Sequence, residues 1–370
     1  MDDPFPSSAS VNEALRRGGK RVWSLGKVFG GEEILCAEAG GEKRPAILVT
    51  AGAHSPEAAG VVASLRILDE LSTSHKVYVI PMRDPFGFNC FDHCLSALLG
   101  RPVVVRSHQD VVARLRQDAE IVWDGGELVV GLIGDVGIVT MDTADEPMGY
   151  EVILRALHAV ARQQPALTDA LRGRRFFVPS STPKTEGAGR FGRTYTGVVS
   201  PEGQILSLSQ FFGRDDAPPE VAYLDAFVRE MKPGLTFDCH EDCGGPEFYL
   251  PARRHQVEPE RAERIVRAMW TAVEEAGYPL LDFDRLVARY SQYLPYWPRY
   301  HQPSGRPGLF WTDGLKRGIG YILADYALRF GFSMPIETGG QAPLAQRVDC
   351  HVRAVSAGVA ALEGSSDAAF

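Results

Sequence analysis

Ile47–Gly60, ILVTAGAHSPEAAG, reads as a buried strand, a small-residue turn and the first turn of a helix. Ile47 to Thr50 are apolar or β-branched on both faces, the pattern of a strand inside a parallel or mixed sheet. Ala51, Gly52 and Ala53 let the backbone turn tightly. Ser55 and Pro56 then read as an N-cap and a first helical residue. At that corner stand His54 and Glu57. Ligands of open α/β sheets bind outside the carboxyl ends of strands. A His and a carboxylate spaced this way can face one centre, such as a metal ion. Taken alone, the pair also reads as a turn histidine beside a carboxylate that complements the helix dipole.

Working outward, Ala58 to Leu71 carries Val61, Val62, Leu65, Leu68 and Leu71 at helical spacing. Val77 to Pro81 is the next buried strand. A strand, helix and strand of this length make a βαβ unit and a parallel pairing. Upstream, Val22 to Glu38 reads as two short strands around Gly30–Gly31. Downstream, Arg83 to Asn89, RDPFGFN, is a turn that leaves the same sheet edge as His54.

The stretch from Cys90 to Lys184 is expected to be an insertion or small subdomain of roughly 90–185. It holds a short helix over Val111 to Asp118 and a hairpin over Ile121 to Asp135, turned at Asp124-Gly125-Gly126. A helix over Tyr150 to Arg162 and a strand over Phe176 to Pro179 follow. CFDHC, Cys90 to Cys94, reads as a packed helix with buried thiols, because no second ligand pair lies near it. Thr185 to Thr196 is Gly-rich and holds Arg190 and Arg193, without the context of a phosphate loop.

Pro218 to Lys232 is a helix introduced by prolines. Leu235 to Asp238 is a strand that delivers Cys239, His240 and Glu241 at its end, with Asp238 placed to orient the imidazole. Glu258 to Gly277 is a helix. Leu286 to Trp311, dense in Tyr, Trp and Pro, suits a long ordered loop over a pocket. Ile319 to Phe330 reads as a helix, Ser333 to Thr338 as a strand ending in Glu337, and Asp349 to Leu362 as the last helix. The whole is an α/β fold: a mixed, mostly parallel central sheet flanked by helices.

Composition sets outer bounds. The chain has 370 residues, 45% hydrophobic and 23% charged, enough for one large domain or two smaller ones. A net charge of −8 argues against nucleic acid as a partner. No apolar run approaches the roughly 18 residues that span a bilayer, so no membrane partner is expected. The first twenty residues hold no apolar signal core, and the six cysteines are expected to be reduced thiols in the cytoplasm. Oligomeric state is left open.

Three strand ends thus present His54 with Glu57, then His240, then Glu337. Two His and one carboxylate form a catalytic-type zinc set with an open position, and a further carboxylate nearby can act as base. On these residues, AGAHSPEAAG, LTFDCHEDC and MPIETGG in that order, the sequence resembles the M14 zinc carboxypeptidases and the related succinylglutamate desuccinylase and aspartoacylase group. RDPFGF sits where that family often has an Asn-Pro-Asp-Gly turn. The likeness runs over roughly 26–358.

The resemblance implies a single zinc-hydrolase domain of the carboxypeptidase type, with one zinc held by His54, Glu57 and His240. It implies Glu337 as general base and then acid, and Arg193 or Arg190 as the group that stabilises the oxyanion. It implies an amide hydrolase acting on a small peptide or modified amino acid. One departure stands out. The family's carboxylate-gripping Asn-Arg pair is replaced by Ser209-Gln210, and a neutral pair does not replace a guanidinium. Either another arginine (Arg214, Arg317, Arg190 or Arg193) supplies the grip, or the substrate lacks a free carboxylate there. Tyr321 is a candidate for the family's mobile substrate-binding tyrosine. Two alternatives stand beside the peptidase reading: an N-acyl amino acid deacylase, and a non-catalytic zinc-binding protein.

Overall fold

The computed structural model describes residues 5, 7–143, 149–180, 191–242, 244–253, 258–291, 301–312 and 320–364. Helix α1 (Ser8–Arg17) leads into an antiparallel pair, β1 (Arg21–Lys27) and β2 (Glu33–Gly40). Strand β3 (Lys43–Thr50), helix α2 (Ala58–Glu70) and β4 (His75–Ile80) form the expected βαβ unit, with β3 and β4 parallel. β3 begins at Lys43, earlier than its apolar run, because Lys43 pairs with His75 before the register shifts towards Ile47.

Five residues of β3 and all of β4 are buried, as two-faced strands require. Strands β11 (Leu235–Asp242) and β15 (Phe332–Gly339) complete the central sheet in the order β1-β2-β4-β3-β11-β15. Its β4/β3, β3/β11 and β11/β15 pairs are parallel and the other two antiparallel, so the sheet is mixed and mostly parallel.

Both faces are covered. One packs against α1, α2, α8 (Pro259–Glu274) and α11 (Leu344–Glu363) through Val61, Ile67, Met269 and Val355. The other packs against α7 (Pro219–Met231) and α10 (Leu323–Ala327) through Leu224, Val228, Leu323 and Tyr326. α2 lies so close to β11 that a Cβ at Gly60 would come 3.0 Å from both the Cβ and the carbonyl oxygen of Cys239. The glycine's cost to the helix is offset by that approach.

A second six-stranded sheet is drawn from β5 (Glu120–Asp124), β6 (Leu128–Ile133), β7 (Val136–Met141), β8 (Arg175–Ser180), β9 (Arg193–Val199) and β10 (Ile205–Ser207). The β5/β6 hairpin turns at the Asp-Gly-Gly stretch, as its turn chemistry requires. Helices α3 (Phe91–Leu99) and α4 (His108–Asp118) cover one face, and α5 (Tyr150–Gln163) and α6 (Pro165–Leu171) the other. The CFDHC stretch is the start of α3, with Cys94 buried in that core.

Three local expectations change. Ile319 to Phe330 is helical only over α10, because Tyr321 exchanges both backbone hydrogen bonds with Phe212, at 3.1 Å each. The aromatic stretch from Leu286 is in part regular. Leu286 and Tyr290 stack four apart on α9 (Phe283–Ser291), and β13 (His301–Pro303) and β14 (Leu309–Thr312) join β12 (Leu250–Arg253) in a small sheet. Tyr293, Tyr296, Trp297 and Tyr300 lie outside the described residues. Ser55 is not the cap of α2; Glu57 holds that position, and Ser55 donates to the Thr194 carbonyl instead.

A buried ion pair ties three of these elements together. Glu241 on β11 takes the Arg347 guanidinium from α11 and the Ala59 N–H, at 2.8 Å, from the first turn of α2. Arg347 is 1% and Glu241 3% exposed. Removing one partner strands the other charge in the core. Arg347→Met is therefore expected to destabilise the protein by roughly 3–5 kcal/mol in chemical denaturation. Glu241→Leu combined with Arg347→Met should recover part of that loss, since it removes the stranded carboxylate.

Candidate metal centre

The corner after β3 is built by backbone bonds before its side chains act. Gly52 turns the chain at φ 62°, a left-handed conformation that favours glycine. Arg83 N–H donates to the Ala51 carbonyl at 3.1 Å and Asp84 N–H to that of Gly52 at 2.9 Å, so the loops after β3 and β4 run laced together. Glu57 N–H then closes onto the His54 carbonyl at 3.2 Å. This tight bend brings the two side chains to one side: His54 Nδ1 lies 2.6 Å from Glu57 Oε1.

The third group comes from β11. His240 Nδ1 lies 2.9 Å from Glu57 Oε2, and the two imidazole centroids are 5.2 Å apart. His54, Glu57 and His240 each offer a ligand atom within 4.8 Å of the others, and this is the cluster with metal-holding spacing among the described residues. The structure thus brings together the three residues that the sequence placed at two separate strand ends. β11 runs on to Asp242, so His240 stands on the strand itself rather than just past it.

Electrostatics fit a cation at this point. Burial alone would raise the Glu57 carboxyl, but the charges of His54 and His240 outweigh it and bring it down to about 2. Burial opposes charge on His240, yet the Asp238 and Glu57 carboxylates lift it well above the usual histidine range. Glu57 is 2% exposed. A buried carboxylate with two nitrogens directed at its two oxygens needs positive charge between them. The two imidazole nitrogens face those oxygens, and a divalent ion would be held by the same donor atoms.

The two histidines are held from behind in different ways. His240 Nε2 meets Asp238 Oδ2 at 3.0 Å. Asp238 in turn accepts from Thr50 Oγ1 at 2.8 Å and from Arg83 Nη1 at 3.0 and 3.1 Å. Burial pushes Asp238 up, and Arg83, His240 and the Thr50 hydroxyl together hold it below the ordinary carboxylate range. This carboxylate–histidine pair fixes which nitrogen faces the cluster. His54 Nε2 instead meets the hydroxyl of Ser209 at 3.4 Å, and the ring of Tyr195 stacks on His54 at 6.0 Å.

Glu337 sits beside the cluster by register. On the parallel β11/β15 pair it is the direct partner of His240, and it exchanges backbone bonds with Tyr249 at 2.9 and 3.0 Å. Removal from bulk water lifts its carboxyl well above the usual range. Glu57, Asp242 and Asp238 push the same way, and His240 opposes them.

The remaining expected site residues are placed as follows. Arg193 opens β9 with 1% exposure, its guanidinium 4.0 Å over the Phe88 ring and donating to the Phe5 carbonyl at 2.9 Å. Arg190 and Arg317 lie outside the described residues. Arg214 is engaged with Asp216 and Glu202. Gln210 spends its side-chain oxygen on the Ser207 N–H at 3.0 Å, capping a single 3-10 turn. Tyr321 lies beside that turn through its bridge to Phe212, with Arg329 4.7 Å above its ring. Sequence reasoning missed Arg83, Ser207, Tyr195 and Tyr150. The signal for Arg83 was its position at the end of a buried strand; the Tyr150–Tyr195 stack, at 4.6 Å, had none.

No protein-family model matches this sequence, and none of the curated proteins matches it. Among solved structures, a metallo-carboxypeptidase from Burkholderia cenocepacia is similar at 10% identity, covering 96% of this chain and 68% of that one, with TM-score 0.47. Bovine thrombin-activatable fibrinolysis inhibitor, solved with tick carboxypeptidase inhibitor, is similar at 11% identity, covering 97% of both chains, with TM-score 0.48. Among the described residues no helix is long and apolar enough to cross a membrane.

Next to the cluster, Asp84 is 1% exposed and accepts from Gly87 N–H at 3.0 Å. Burial, with the nearby Glu220 charge, raises it from 3.8 to about 6; Thr196, Gly87 and Arg175 pull the other way. The folded chain therefore binds this proton more tightly than the unfolded chain. Stability from it is present at low pH and is lost as pH rises through about 6. Asp84→Asn should thus gain on the parent by up to about 3 kcal/mol between roughly pH 4 and 7. Urea midpoints of both proteins across that range check it; parallel curves would refute it.

Proposed function

We propose that this chain is a zinc-dependent hydrolase of amide bonds, acting on a small peptide or modified amino acid in the cytoplasm by an M14 carboxypeptidase type of mechanism. The single observation that carries the reading is the convergence of His54 Nδ1, the Glu57 carboxylate and His240 Nδ1 within 4.8 Å, beside Glu337. The order of the motifs in the sequence supports it. His54, Glu57 and His240 would hold the zinc, and zinc, when bound, supplies Lewis acidity at the reacting carbonyl.

The chain's own residues handle the proton. A Glu337 oxygen takes one from the attacking water as the carbon–oxygen bond forms. The same oxygen returns it to the amide nitrogen as the carbon–nitrogen bond breaks, so the products are an amine and a carboxylic acid, which then loses its own proton to solvent. Arg193 or Arg190 is proposed for the carbonyl oxygen's developing charge. Arg193 stands on β9 two residues before Tyr195, which stacks on His54.

A second reading, an N-acyl amino acid deacylase, is favoured by the Ser207–Gln210 turn. Ser209 is turned to His54 and Gln210 is used as a cap, so this turn offers no guanidinium to a terminal carboxylate. The substrate's own preferences separate the two. Equal loss of turnover on blocking the substrate's carboxylate would point to a carboxypeptidase.

Glu337→Gln is expected to keep about one zinc per chain and to lose hydrolysis by 10²-fold or more, read as metal content and as turnover of free, C-terminally blocked and N-acylated substrates. Full turnover by metal-free protein with chelator present would sink the hydrolase reading. Zinc-loaded protein inert on the whole panel would favour a non-catalytic zinc-binding protein. His54→Ala, with the cluster cut to two ligands, should lose both metal and activity.

A further inference from the structure

His54 is the ligand whose backing is unusual. Its partner at Nε2 is a hydroxyl, that of Ser209, at 3.4 Å. Ser209 is 7% exposed, and its Oγ lies 2.6 Å from Ser207 Oγ. The Ser207 hydroxyl takes the Gln210 N–H in the capping box of the 3-10 turn Leu208–Gln210. The Tyr195 ring lies nearly parallel to that of His54, at 26°, and is itself stacked with Tyr150 at 12°. The imidazole is therefore held at its edge by a pair of hydroxyls and on its face by an aromatic ring.

A serine hydroxyl has one proton and two lone pairs, so it can donate or accept. Two orders fit the contacts of Ser207, Ser209 and His54. In one, His54 Nε2–H donates to Ser209 and Ser209 to Ser207. In the other, Ser207 donates to Ser209 and Ser209 to Nε2, with the ring proton on Nδ1, facing Glu57. A carboxylate partner, such as Asp238 behind His240, accepts only.

We infer that Ser207 and Ser209 are positioning residues for His54: a pair of hydroxyls, each able to donate or accept, that holds Nε2 whichever ring nitrogen carries the proton and so keeps Nδ1 turned to Glu57 and to a bound metal. This rests on the proposal that His54, Glu57 and His240 hold a metal. It assigns Ser209 to the metal ligand rather than to the substrate. His240 is locked in one sense by Asp238, and His54 is the ligand that adjusts when the ion enters or leaves.

Zinc affinity tests this directly, measured on the full chain by competition with a chromophoric chelator. Ser209→Ala is expected to bind zinc about 10- to 100-fold more weakly. Ser209→Thr, which keeps the hydroxyl, should return to near the parent value, and Ser207→Ala should fall between. With [15N]histidine label, zinc-bound parent should show the His54 Nε2 proton slowed in exchange, and zinc-bound Ser209→Ala should show it fast. Ser209→Ala with unchanged zinc affinity and a raised KM would overturn the inference and make Ser209 a substrate contact. Loss of affinity in Ser209→Thr equal to that in Ser209→Ala would overturn it as well, since a hydroxyl would then not be the cause. Parent protein that binds no zinc, or binds it equally after His54→Ala, instead overturns the metal reading itself, so the two failures are distinct.

Discussion

A carboxylate with almost no exposure to water, pinned between two imidazoles, is the constraint on which the rest of the site depends. Glu57 cannot sit there uncompensated. Its compensation comes from His54, in the same bend, and from His240, which is 183 positions later in the chain. That demand fixes the register in which β3 and β11 lie side by side, with Thr50 opposite Asp238. Asp238 then inherits the problem, since it backs His240 from an equally buried place. It is settled by Thr50 from β3 and Arg83 from the loop after β4. Three neighbouring strand ends are thus bound into one charge-balanced unit, and the second sheet is keyed to it where Ser55 and Gly87 bond the backbone of Thr194.

The parts of this that were legible in the sequence were the local ones. Ile47–Thr50 and Leu235–Asp238 announced themselves because strands buried on both faces carry continuous apolar or β-branched runs. His54, Glu57, His240 and Glu337 were found because they stand at the ends of such runs. What was not legible was pairing across long sequence separations. Arg83 looks like an ordinary turn arginine until Asp238 is set beside it, 155 positions away. Ser55 has the chemistry of an N-cap, but its hydroxyl goes to Thr194, 139 positions away, and leaves the cap position to Glu57. The helical spacing over Ile319–Phe330 was real, yet backbone pairing of Tyr321 with Phe212 took the first part of it. The Arg193 guanidinium lies over Phe88 and on the Phe5 carbonyl, contacts that no local window contains.

The two histidines also differ in what they ask of the fold. His240 lies on a strand paired on both sides, with a charged partner behind it, so its position and its proton are set together. His54 lies in a bend, with neutral hydroxyls behind it and an aromatic face beside it. A neutral partner takes less charge into the protein's interior, and the aromatic stack supplies the rigidity that a carboxylate would otherwise give. The site therefore combines one histidine fixed by electrostatics with one fixed by shape, and the shape comes from the second sheet.

Register also explains why a fourth acidic group can stand so close without joining the cluster. Neighbouring strands lie about 4.8 Å apart, and Glu337 is the partner of His240 across that gap rather than a residue of the same strand. Its backbone is held on the far side by Tyr249, which anchors β15 against the small third sheet through β12. The groups within mutual reach are His54, Glu57 and His240, and Glu337 is outside that set. One strand further away, Glu337 is withdrawn from water and faces Glu57, Asp242 and Asp238, so it holds a proton more readily than an exposed carboxyl does, against the pull of His240. The pairing of β11 with β15 thus keeps Glu337 beside the cluster and out of it.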